Sequence, residues 1–85
     1  MNIIRIKTTV VGIGEVFTTD SGPRSVDFLY QGTTDGVTIT GQVSESDPIP
    51  IPPSVPFTLE YSDNYYDGVI VTNNGNAPVY IVEKF

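Results

Sequence analysis

Residues 48 to 61 read PIPIPPSVPFTLEY, and five of the chain's seven prolines lie between Pro48 and Pro56. The odd positions from 49 to 61 are Ile49, Ile51, Pro53, Val55, Phe57, Leu59 and Tyr61, all apolar or aromatic. The even positions are Pro50, Pro52, Ser54, Pro56, Thr58 and Glu60. A period of two predicts one continuous extended segment with a single apolar face. A residue that precedes proline is pushed towards β or polyproline geometry, which stiffens the segment further. Proline has no N–H, so the first half cannot lie at the centre of a sheet. It must run along an edge, cross between sheets, or lie on another molecule. Two readings stay open. The segment 48–56 is a crossover whose isoleucines cover one end of the core, or Ile49, Ile51, Pro52, Pro53 and Val55 form a stiff apolar strip that binds a partner.

The rest of the chain supports strands. It has one Ala and one Met, with abundant Val, Ile, Thr and Tyr, and no window carries a helical apolar period. Strands are expected over 3–11, 15–19, 25–31, 37–43, 68–72 and 77–83, besides the proline segment. Turn signals recur at short spacing. The expected fold is a single all-β domain over residues 1–85, a small antiparallel β-sandwich or barrel of jelly-roll or Ig-like type with about seven short strands. Asn73-Asn74-Gly75-Asn76 reads as a four-residue hairpin loop, which would leave Pro78 in a non-bonded pair. Chain ends fray unless tied down, so the first and last strands are expected to be paired in sheets or held by neighbouring chains.

Length and composition narrow the function. An 85-residue domain buries only about two-thirds of its unfolded surface. With neither Cys nor His, it lacks the usual disulfide or metal staple, which points to a tight core or to oligomerisation. The net charge is −6, and no basic residue lies between Arg24 and Lys84. That interval holds Asp27, Asp35, Glu45, Asp47, Glu60, Asp63, Asp67 and Glu83, read as an acidic surface. Such a surface disfavours nucleic acid and anionic membranes. The N-terminus carries Arg5 and Lys7 where a signal peptide would be apolar, so the expectation is a soluble protein made in the cytoplasm.

Candidate chemistry is sparse. Asp20-Ser21-Gly22 matches the aspartic-protease triplet, but Thr18-Thr19 and Pro23-Arg24 flank it and the later bracing element is missing. A turn is the better reading. Residues 63 to 68 gather oxygen ligands without EF-hand spacing. No catalytic residue, metal site or cofactor is expected, since no imidazole or thiolate is present to act as base, nucleophile or ligand. Tyr61, Tyr65 and Tyr66 with Asp63, Asn64 and Asp67 could form a sugar-stacking platform, and a carbohydrate-binding or host-surface adhesion module is the alternative function.

The short all-β chain without Cys, its VTITG and VPFTL strands and its ending VYIVEKF resemble small phage virion structural proteins of the head-decoration, head-fibre or tail-accessory type. That resemblance implies a non-enzymatic subunit of the virion. It would be a homo-oligomer, a trimer before a dimer, bound to other virion proteins such as a major capsid protein.

Overall fold

The computed structural model describes residues 5–19, 25–41, 48–60 and 68–85. They form eight strands: β1 (Ile6–Val11), β2 (Val16–Thr18), β3 (Ser25–Tyr30), β4 (Val37–Gly41), β5 (Ile49–Pro50), β6 (Phe57–Glu60), β7 (Val69–Asn73) and β8 (Val79–Lys84). Two antiparallel four-stranded sheets result, in the orders β1-β8-β3-β6 and β2-β7-β4-β5. The all-β antiparallel expectation holds, with eight strands in place of seven, because Ile49–Pro50 pairs with Thr38 and Ile39 as a short strand of its own.

The strand order is that of a jelly roll. Each strand of the first half pairs with the strand equally far from the other end: β1 with β8, β2 with β7, β3 with β6 and β4 with β5. The ladder continues through the corners. Gly14 N–H donates to Asn73 O at 2.7 Å, Ile51 N–H to Val37 O at 2.9 Å, and Ser54 N–H to Tyr30 O at 2.7 Å. The chain is in effect one long hairpin wound into two layers.

This topology corrects the hairpin expectation at Asn73–Asn76. β7 and β8 lie in different sheets, so the connection crosses the sandwich and Pro78 does not oppose Val71. Asn73 decides this. Its side chain is fully buried and donates through Nδ2 to Val11 O at 3.1 Å and Ala77 O at 3.0 Å, and its Oδ1 accepts from Gly75 N–H at 3.0 Å. An Asn-rich stretch that looks like a tight turn is instead pinned across the layers by its own first residue.

The core comes from the inward positions of both sheets. Val26, Phe28, Tyr30, Val79 and Ile81 meet Val37, Ile39 and Val71, with Val11 and Ile51 closing the end. Phe28 and Phe57, opposite in the ladder, stack tilted with centroids 6.2 Å apart. The Tyr30 hydroxyl donates to Thr34 O at 2.6 Å and accepts from Asn76 N–H at 2.9 Å, which ties two corners together. A Cβ on Gly32 or Gly75 would collide with the hydroxyl end of the buried Tyr30 side chain, so both places favour glycine.

Two further expectations change. The segment 49–61 is not continuous. It turns at Pro53–Ser54, where Ser54 has φ 62°, so β5 joins one sheet and β6 the other. Glu83, read as part of the acidic surface, is fully buried on the inner face, and its ladder partner on β1 is Lys7.

Candidate functional site

Strand register decides which side chains share a face. In the β1-β8-β3-β6 sheet the inner positions are odd on β1, β8 and β6 and even on β3, as the buried Val11, Ile81 and Phe28 show. The outer positions fall into rows across the strands. One row is Val10, Tyr80 and Leu29, with Pro56 beyond it. The next is Thr8, Val82, Asp27 and Thr58, and the third is Ile6, Lys84, Ser25 and Glu60.

A solvated sheet face should be polar. This one exposes Ile6 at 63%, Val10 at 56% and Tyr80 at 40%. Between the strands lies a shallow, mainly apolar depression of about 400 Å³, lined by Leu29, Pro56, Tyr80 and Val82 with Asp27 and Thr58 at its polar side. Asp27 is held on two sides. The Lys84 ammonium is 2.7 Å from its Oδ2, and the Thr58 hydroxyl donates to Oδ1 at 2.8 Å. Those bonds, Lys84 first, keep its carboxyl below the usual carboxylate range despite some desolvation.

The other sheet differs. Its outer positions are Val16, Thr18, Ile70, Thr72, Thr38, Thr40 and Pro50, four of them threonines. The broader apolar outer face therefore belongs to the first sheet, although Val16 on the second is itself 62% exposed. Its sequence signal is the run of apolar residues in both parities, Val10-Val11, Leu29-Tyr30 and Tyr80-Ile81-Val82, a run that Val69-Ile70-Val71 of the second sheet shares. A strand half-exposed to water alternates; these do not.

The expected partner strip divides. Ile49 (44% exposed) and Val55 (51%) are at the surface, Pro52 is exposed and Pro53 half-buried. Ile51 is 1% exposed and belongs to the core, so it leaves the strip. Its N–H bonds to Val37 O and turns its side chain inward as the chain leaves one sheet for the other. The expected sugar platform, Tyr61, Asp63, Asn64, Tyr65, Tyr66 and Asp67, lies outside the described residues, as does Asp20-Ser21-Gly22. Among the described residues no group of three acidic side chains is placed to hold a metal.

No protein-family model and no curated protein sequence matches the chain. Among solved structures it is similar to the solution structure of a de novo designed double-stranded β-helix, with 14% identity and a TM-score of 0.63. The match covers 95% of this chain and 99% of the design. At that identity the likeness concerns the fold alone, and it agrees with the jelly-roll strand order described above.

Proposed function

We propose that this chain is a non-enzymatic assembly subunit that works through protein–protein contacts, and that its first partner is a second copy of itself. The observation that carries this reading is the outer face of β1-β8-β3-β6, where Ile6, Val10, Leu29, Tyr80 and Val82 stand on a side that a solitary sandwich keeps polar. The virion is the setting we favour, as a capsid- or tail-associated subunit. Jelly rolls serve in capsids and in lectins alike, which makes this an argument from analogy of fold.

Light scattering on a sizing column, over a wide concentration range, tests the reading. Wild type is expected to run as an oligomer, and Val82→Lys, which places a charge in the apolar depression, is expected to weaken it. A chain that is monomeric at every concentration sinks the proposal of self-assembly. In that event the carbohydrate reading takes over, and Tyr65→Ala with Tyr66→Ala should then abolish glycan binding.

A further inference from the structure

The sandwich has two open sides, one bounded by β1 and β2, the other by β5 and β6. The hydrogen-bond pattern fixes which backbone groups point outward there. Phe85 N–H donates to Arg5 O at 2.9 Å, so Arg5 and Phe85 form a hydrogen-bonded pair. Such pairs alternate along an antiparallel ladder. Positions 7, 9 and 11 therefore bond to β8, while the N–H and C=O groups of Ile6, Thr8 and Val10 point away from the sheet. Gly12 continues the alternation, and its N–H is capped by the Glu15 carboxylate at 2.8 Å. Glu15 thus stands at one end of the β1 edge and Arg5 at the other.

We infer that β1 is the interface between two copies, paired antiparallel about a two-fold axis through Thr8. The inference rests on the proposal that the chain assembles with itself, and it names where. In this register Thr8 bonds Thr8 of the second copy and Ile6 bonds Val10, so all the outward backbone groups of β1 are satisfied at once. Ile6 and Val10 become cross-strand neighbours on the outer face and join the two apolar faces into one. Arg5 of each copy arrives beside Gly12 and Glu15 of the other, which sets opposite charges together at both ends of the seam. The patch is self-complementary, as an isologous contact must be.

Two sets of variants test this by native mass spectrometry and sedimentation. Thr8→Pro removes an N–H that faces the edge and leaves the β8 ladder whole; it is expected to halve the native mass while the circular dichroism and unfolding midpoint stay close to wild type. Arg5→Glu and Glu15→Arg each create two like-charge contacts in the dimer. Each alone is expected to dimerise several-fold more weakly, while an equal mixture of the two should form heterodimers with both contacts restored. The mixture does not depend on whether the proline variant folds. Wild type that is monomeric overturns both this inference and the assembly proposal. Wild type that is a trimer, an oligomeric Thr8→Pro, or a mixture that gains no heterodimer overturns the β1 seam and leaves assembly through another surface standing.

Discussion

Along the β5–β6 side, four of the positions whose backbone nitrogen would face outward are occupied by Pro48, Pro50, Pro52 and Pro56, and Thr58 and Glu60 on β6 complete the row. Along the β1–β2 side, the equivalent positions are Ile6, Thr8, Val10, Val16 and Thr18. The parity is the same on both sides, and the prolines have no counterpart on the second. Ile49 and Ile51 bond inward to β4, so every second residue of the segment is free to lose its donor without cost to the ladder. These four prolines remove donors where a passing strand would seek them, which is how natural sheets blunt an edge. An edge blunted four times over beside one with no proline shows that the chain treats its two sides differently. The proline stretch from 48 to 56 is closed to strand addition, and β1 is left able to pair.

Four predictions bear on this contrast. The largest effect falls on what anchors the closed side. Ile51→Asp puts an unpaired charge in the core and is expected to cost more than about 4 kcal/mol, while Ile49→Asp, two residues away on the exposed stretch, should stay within about 0.5 kcal/mol. Denaturant melts of both variants give the difference, and equal costs would mean that the corner does not hold the segment as described. Next, Pro50→Thr combined with Pro52→Thr returns two outward N–H groups. It is expected to add a concentration-dependent association visible in sedimentation velocity; no added association would show that something besides proline protects that side. Third, Thr58→Pro is the mirror of Thr8→Pro. Its N–H also faces outward, so its oligomeric state should equal that of wild type, with about 1 kcal/mol lost with its hydroxyl bond to Asp27. A drop in mass would break the asymmetry. The smallest effect concerns Asp27. Its lowered pKa means that the pair with Lys84 contributes stability above the unfolded value of about 4, lost as pH falls through the folded value. Asp27→Asn should therefore cost less than about 1 kcal/mol at neutral pH and flatten the acid limb of a melting-temperature profile.

Much of this architecture is legible in the residues. The β-branched strands, the edge role of the prolines and the crossover they mark all follow from period two and from a missing N–H. The turn at Pro53–Ser54 does not, because a single left-handed serine interrupts a pattern that otherwise continues unbroken through both halves. The connection after β7 was hidden for a similar reason. Asn-Gly is a strong local turn signal, and the buried Asn73 amide that overrides it acts through Val11, far away in sequence. Ile51 and Glu83 show a further limit. Alternation tells which residues share a face, and only the assembled layers tell which face is inside. The apolar outer face is not legible strand by strand, because Val10, Leu29 and Val82 are brought together only across strands.

The single long hairpin also sets an order in time. Every strand of the first half waits for a partner from the second, and the wait lengthens from β4, whose neighbour β5 follows within a few residues, out to β1, whose partner β8 comes at the far end of the chain. On the ribosome, β1 is made first and paired last. Folding should zip outward from the β4–β5 pair, slowly, because each later closure spans more chain. Until β8 emerges, both sides of β1 are unpaired, and nascent chains on one message could meet there before either has finished folding.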